Sequence, residues 1–362
     1  ISRPRAGPFR PTHPRPRHPP MSRPTRHRSL ATVAACAAHA LLGLGIATIV
    51  STVAAPPAHA QDYPARPITM VIPFPVGGST DVLGRMLAAS MSRSLQQQVV
   101  VENTGGAGGT VGAARVARAR ADGYTVLFHN MAHATAPALY RTLPYDPAGA
   151  FEPVGLVADV PMILVARKNF PARDFKELQA YARTSPDKIN FANAGIGATS
   201  HLCGMLLMSA MQTDLTTVPF KGTGPALNDL IGGQVDLLCD QPASTAGHIA
   251  AGAIRALAVA HRTRLPSLPD VPTFDESGLK GFELSVWHGL YAPKGTPRAA
   301  VDRLAQALRE ALRDPPLVQR FNTLGAQPVD AERATPEALR AHLRADLDKW
   351  APVIKRAGVY AD

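Results

Sequence analysis

Short β-branched runs alternate with Ala-, Leu- and Arg-rich amphipathic segments along most of this 362-residue chain, and that alternation admits few architectures. Strands read over 68–72, 99–102, 125–129, 153–157, 163–167, 190–192, 216–219, 237–240 and 256–260. Helical stretches fall between them at 80–95, 112–119, 175–184, 200–209, 224–231 and 247–251. Such alternation implies parallel sheets whose crossover helices cover both faces, so the class is α/β. The roughly 300 residues beyond position 60 exceed one ordinary core and suit two domains.

The C-terminal part changes character and reads as helices over 297–313, 315–324 and 335–357. Val301, Leu304, Leu308 and Leu312 form one apolar stripe, and Leu339, Leu343, Leu347 and Trp350 another; both read as faces packed on a domain. Thr296 and Thr335 stand as N-caps, with Pro297 and Pro336 at the first helical position.

The first sixty residues differ from everything after them. Residues 1–20 are Pro, Arg and His without apolar periodicity, a composition that cannot bury a core and reads as disordered upstream sequence. Met21 opens a second beginning: a basic stretch to Arg28, a nearly uniform apolar run over 30–55, and Ala58-His59-Ala60 before Gln61. That order reads as a secretory signal peptide spanning 21–60, cleaved after Ala60, with a membrane anchor as the competing reading that Ala, Gly and His39 and the cleavage site disfavour. Its removal changes the charge argument. The whole chain carries 38 basic and 27 acidic residues, a net of +11, but residues 1–60 hold eight Arg and no acid. Taking 8 from 38 leaves 30 basic against 27 acidic, a net of +3, and no basic patch calls for nucleic acid or a membrane surface.

Two cysteines remain, Cys203 and Cys239. Each lies inside an apolar run, so they read as buried free thiols packing as small hydrophobes, with a disulfide as the alternative in an oxidising compartment. No Cys or His spacing suggests a metal site.

Three Gly-rich junctions stand where chemistry could be carried. In the first, Met70-Val71-Ile72-Pro73-Phe74 runs through Gly77-Gly78 into Ser79-Thr80-Asp81 and a helix. The first N–H groups of a helix have no intrahelical partner and bear partial positive charge, so such a junction can hold a carboxylate without a basic side chain. Gly77 and Gly78 let an anion approach the backbone, while Ser79, Thr80 or Asp81 caps the helix. The second, Gly105-Gly106-Ala107-Gly108-Gly109, fails the dinucleotide spacing because the sixth position counted from Gly106 is Val111; no phosphate-loop Gly-Lys-Ser/Thr follows either. The third, Ala194-Gly195-Ile196-Gly197-Ala198-Thr199-Ser200-His201, repeats the first junction more than a hundred residues later. Two such helix ends in separate domains can face each other and share one ligand. Val218 to Pro225 adds another strand-to-helix turn with Thr223. Catalysis has thin support: Gly-x-Ser-x-Gly is absent, no carboxylates pair within one turn, and His129, His133, His201, His248 and His288 are scattered.

The succession of these segments closely resembles the Bug family, periplasmic solute receptors of tripartite tricarboxylate transporters. The resemblance runs through Ile72 to Asp81, Val101-Glu102-Asn103 with Gly106 to Gly109, Ala121-Asp122-Gly123-Tyr124-Thr125, Thr199-Ser200-His201-Leu202, Pro219-Phe220-Lys221-Gly222, Gly232-Gly233-Gln234-Val235-Asp236 and Leu268 to Thr273. It implies a type II periplasmic-binding-protein fold: two α/β domains around a ligand cleft, with a helical C-terminal segment. Domain 1 is then 61–161 plus 285–362, and domain 2 is 162–284. It further implies ligand contacts from Phe74, Gly77, Gly78, Ser79, Thr80 and Asp81 on one loop and Gly197, Ala198, Thr199, Ser200 and His201 on the other. Thr223 and Asp240 are additional candidates.

The implied function is that of a periplasmic receptor, not an enzyme. It takes no cofactor or metal, acts as a monomer, binds a small carboxylate (a dicarboxylate, tricarboxylate, acidic amino acid or aromatic acid) and delivers it to the membrane subunits of the transporter. A sensory protein presenting its ligand to a membrane histidine kinase is the alternative, and a hydrolase the third reading. Three departures from the family pattern stand out: Val76 in place of Pro, Gly84 in place of Ala inside a helix, and the divergent Gln241-Pro242-Ala243-Ser244-Thr245.

Overall fold

The computed structural model describes residues 63–358 and 360–361. The upstream segment and the signal peptide expected over 1–60 lie outside the described residues. In chain order the elements are β1 (Ile68–Ile72), α1 (Ser79–Leu95), β2 (Val99–Asn103), α2 (Thr110–Ala117), β3 (Thr125–Asn130), α3 (Ala132–Leu139), β4 (Phe151–Pro161) and β5 (Ile163–Arg167). There follow α4 (Phe175–Thr184), β6 (Asn190–Asn193), α5 (Thr199–Met211), β7 (Thr216–Pro219), α6 (Thr223–Ile231), β8 (Leu237–Asp240), α7 (Pro242–Ala250) and β9 (Ile254–Val259). The last are β10 (Ser285–Pro293), α8 (Arg298–Ala311), α9 (Pro315–Thr323), β11 (Gln327–Pro328) and α10 (Pro336–Ala357).

The strands form two sheets, one ordered β11-β4-β10-β3-β1-β2 and the other β7-β6-β8-β5-β9. The sheets are mixed, which corrects the expectation of parallel ones. β1 pairs in parallel with β2 and β3, and β6 with β7 and β8. The antiparallel pairs all involve β4, β5 or β10. Those strands flank the two passages of the chain between the sheets, so they return against the direction set by the βα units. At the crossing the Met162 N–H donates to Leu284 O at 2.9 Å, and the Ala260 N–H donates to Met162 O at 2.8 Å.

Each sheet carries its own apolar layer. In the first lobe Met70, Ile72, Leu83, Leu87 and Phe128 are fully buried; in the second, Ile163, Val165, Leu230 and Leu238 are. The C-terminal stripes behave as expected: Val301, Leu304, Leu308, Leu339 and Leu343 are buried, with α8 and α10 lying on β4. Thr335 caps α10 by accepting from the Ala338 N–H at 3.2 Å, whereas Thr296 donates to Pro293 O and Pro297 takes the N-cap of α8.

One further expectation fails for a reason of packing. Cys203 and Cys239 are not free thiols but a disulfide, with Cα atoms 6.2 Å apart. Helix α5 lies against β8, and that juxtaposition is invisible in either apolar run alone. Gly84 is a packing requirement, since a Cβ there would lie 2.5 Å from Ile72 Cδ1 and 2.8 Å from Phe128 Cδ1.

Candidate functional site

The junctions at β1–α1 and β6–α5 face each other across the gap between the lobes, joined there by β7–α6 and β8–α7. Their residues enclose one small cavity of about 30 Å³, lined by Phe74, Gly78, Ser79 and Thr80 from the first lobe and by Ala198, Thr199, Ser200, Thr223, Asp240 and Gln241 from the second, among others. The N-termini of α1, α5, α6 and α7 therefore converge on one point. Their N-caps are Gly78, Ala198, Gly222 and Gln241, and none supplies a side-chain cap. Ser79, Thr80 or Asp81 had been expected to cap α1, but none does; Ser79 and Thr80 begin α1 as Thr199 and Ser200 begin α5, and all four line the cavity. Unpaired N–H groups and aligned peptide dipoles make such a point favourable for an anion.

Nine of the thirteen residues anticipated from sequence line this cavity; Gly77, Asp81, Gly197 and His201 do not. Asp81 is occupied elsewhere. Its buried carboxylate forms an ion pair with Arg85 at 2.9 Å and accepts from the Gly77 N–H at 2.9 Å and from Asn103 Nδ2 at 2.8 Å. It thus ties down the loop that presents Gly78, with Gly77 at φ +86° making the turn. Gly197, at φ +83°, and Gly108 approach Tyr140 and each other where the jaws meet, and a Cβ on either would fall within 3.1 Å of the Tyr140 hydroxyl oxygen. His201 accepts from the Gly197 N–H at 3.4 Å, and burial holds its imidazole below the usual range.

Asn130, Ser244 and Gln241 were missed as site residues, although the divergence of 241–245 had marked the last two. Asn130 Nδ2 donates to Thr80 Oγ1 at 3.0 Å, fixing that hydroxyl. Ser79 Oγ donates across the gap to Ser244 Oγ at 3.0 Å, and Ser244 Oγ donates on to Asp240 Oδ2 at 2.8 Å. The Tyr140 hydroxyl also spans the lobes, donating to Ile196 O at 3.1 Å. Asp240 is wholly buried, and burial pushes its carboxyl up to about 6 against hydrogen bonds from Ser244, the Gln241 backbone and Thr223. Gln241 Oε1 is buried without a hydrogen-bond partner among the described residues.

The histidines are less scattered than the sequence suggested. His129 and His133 have ring centroids 5.1 Å apart, and His288 Nε2 lies 3.3 Å from Thr80 Oγ1. Burial depresses all three, His133 to about 4 and His288 to about 3, so they are neutral packing groups behind the first jaw.

Outside the small cavity the gap widens into an open vestibule of about 710 Å³, which shares Phe74, Pro75 and Ala194 with it. The second Gly-rich junction, rejected above as a nucleotide loop, forms part of its wall.

Known proteins share this architecture. The family described as the tripartite tricarboxylate transporter family receptor matches residues 83–359. An Agrobacterium vitis protein, the UPF0065 protein in the TAR-I ttuE-ttuC' intergenic region, is 48% identical over 302 residues, covering 83% of this chain and 87% of its own. The solved structure of the periplasmic binding protein BugD aligns with a TM-score of 0.80 at 51% identity, over 82% of this chain and 99% of that one. MatC from Rhodopseudomonas palustris with bound malate gives 0.77 at 40% identity, over 81% and 100%. The family is one of periplasmic solute receptors and not of enzymes, and the two-lobed α/β periplasmic-binding-protein fold read from the sequence is the one observed. With its fold, its cleft and its match over most of the length in agreement, the chain belongs to the tripartite tricarboxylate transporter receptor family.

Proposed function

We propose that this receptor closes on a small carboxylate held between the two jaws and hands it to the membrane subunits of a tripartite tricarboxylate transporter. The observation that supports this most directly is the convergence of four uncapped helix N-termini on one cavity between the lobes. In this reading the backbone N–H groups of Ser79, Thr80, Thr199 and Ser200 bind the carboxylate, Thr223 and Asp240 flank it, and Asp81 holds its loop. Gly77, Gly197 and His201 shape the jaws without touching the solute. The lobes, taken as 61–161 plus 285–362 and 162–284, move about the crossing at Met162, and a ligand that touches both favours the closed state by its differential affinity.

The mature receptor begins at Gln61 and works as a monomer. A thermal-shift screen of dicarboxylates, tricarboxylates, amino acids and aromatic acids tests the proposal. A bound solute at a hundredfold excess over its dissociation constant stabilises the fold by roughly 2.7 kcal/mol. Silence across all four classes would sink it.

A further inference from the structure

Beneath the first half of α10 three buried polar atoms cluster without a hydrogen-bond partner: the hydroxyls of Tyr145 and Tyr291 and Nδ1 of His133. The His133 ring centroid lies 5.9 Å from that of Tyr145 and 5.0 Å from that of Tyr291, and Phe151 packs against all three rings. His133 Nε2 stands 3.2 Å from Pro147 O, so it carries the proton of the neutral imidazole and leaves Nδ1 an acceptor. A buried polar group that nothing pairs costs about 1–3 kcal/mol. An occupant that pairs even one of them is favoured accordingly.

Tyr291 forms part of the wall of a cavity of about 60 Å³, together with Phe151, Pro153, Leu343, Arg340 and Arg344 among others. One water needs only ~10–15 Å³ of such space, so a group of several heavy atoms is admitted. The cavity shares no residue with the one between the jaws or with the vestibule. Burial holds the Tyr291 hydroxyl protonated far above neutral pH, which makes it a standing donor.

The charge around this cavity is one-sided. Arg340 and Arg344 stand one turn apart on α10, where like charges repel, and no acid lines the wall. Glu152 Oε2 is 3.8 Å from Arg340 Nη2, but that carboxylate is already held by Lys294 Nζ at 2.9 Å and by the Gly295 N–H at 3.2 Å. Asp346, whose charge acts on Tyr291, accepts from the indole N–H groups of Trp287 and Trp350 at 2.6 and 3.3 Å. Arg344 is exposed and forms no ion pair with any described residue. Two guanidinium forks beside an unpaired, buried hydroxyl donor suit an oxyanion, which such forks engage through paired N–H groups.

We propose that this cavity is a second anion site, taking a small oxyanion (phosphate, sulfate or a short carboxylate) whose oxygens accept from the Tyr291 hydroxyl and from the guanidinium groups of Arg340 and Arg344. It is independent of the solute held between the jaws and does not rest on the receptor reading.

A thermal-shift titration tests it. Sodium phosphate, sulfate and acetate are each added up to about 20 mM, where general salt effects on stability are small, against sodium chloride at matched ionic strength. The wild type and Gly78→Phe, whose jaws are filled, should show the same saturable rise in melting temperature with at least one of the three. Phosphate and sulfate act if the site prefers a tetrahedral ion, acetate if it prefers a planar one. The double variant Arg340→Gln/Arg344→Gln, altered at two exposed positions, should need at least tenfold more anion for half the effect. Tyr291→Phe should need at least threefold more while losing no stability without anion, because it removes only an unpaired hydroxyl. A response lost in Gly78→Phe places the anion between the jaws, which overturns this inference and leaves the receptor reading standing. A response that survives in the double Arg variant, or none from any of the three ions, overturns it as well.

Discussion

Asp240 places a buried carboxyl group on the wall of the cavity between the lobes, and its replacement by Asn gives a quantitative test of how that burial is tolerated. Burial raises its pKa from 3.8 to about 6 in the folded protein. At 1.36 kcal/mol for each tenfold change in proton affinity, that displacement corresponds to about 3 kcal/mol disfavouring the charged form. Between pH 3.8 and 6 the folded state binds more protons at this group than the unfolded state does. Stability from this source is therefore fully present below pH 3.8 and is lost as pH rises through about 6. The Asp240→Asn variant keeps an acceptor for the Ser244 hydroxyl and carries no charge. It should match the wild type near pH 4 and exceed it by up to about 3 kcal/mol at pH 7. His129, His133 and His288 titrate with the opposite sign over part of the same range, but they are common to both proteins and cancel in the difference. Urea denaturation of the pair at half-unit steps from pH 4 to pH 8 reads that difference. A variant less stable than wild type at pH 7, or a gap that does not close on acidification, would refute the reasoning.

Three further outcomes follow from particular contacts. Gly84→Ala should destabilise by about 1–2 kcal/mol despite the better helix propensity of Ala, because the added methyl meets Ile72 and the Phe128 ring; a variant that melts at or above wild type contradicts this. Cys239→Ala removes a cross-link between residues 36 apart in sequence, for which loop-closure entropy gives about 4 kcal/mol of lost stability. Denaturation of wild type with and without reductant should show a loss of similar size, and reductant-independent stability would argue that the bond contributes little. At Gly78 a Cβ has ordinary clearance, 3.7 Å from Thr223 Cβ, so Gly78→Ala should fold and close. Gly78→Phe fills the gap between the jaws and should abolish ligand-induced stabilisation while leaving the unliganded melting temperature within a few degrees, a pairing that a thermal-shift titration reads directly.

Much of the fold was legible in local pattern. The strands at Ile68–Ile72, Ile163–Arg167, Thr216–Pro219 and Leu237–Asp240 and the helix Phe175–Thr184 fall where β-branched runs and helical spacing put them, because each signal is carried by residues near in sequence. The elements missed were those whose signal is not local. The strand Ser285–Pro293 is central in its sheet, buried on both faces and interrupted by His288 and Gly289, so it shows no alternation. The helix Ala132–Leu139 contains Pro137 and is started by Asn130, whose Oδ1 accepts from the Ala132 N–H at 3.0 Å.

The sequence by itself determined that this chain alternates strand and helix, that glycine-rich turns stand before α1 and α5, and that the order of its motifs is that of a family of solute receptors. Only the tertiary structure decided that four helix ends share one point, that Asp81 ties a loop while Asp240 faces the cavity, that Cys203 meets Cys239, and that Gly84 is required by Ile72 and Phe128. The physical reason is the same in each case. Propensity, capping potential and periodicity are properties of neighbours along the chain, whereas the partner of a charge, a thiol or a helix dipole is fixed by which distant segments the sheets bring together.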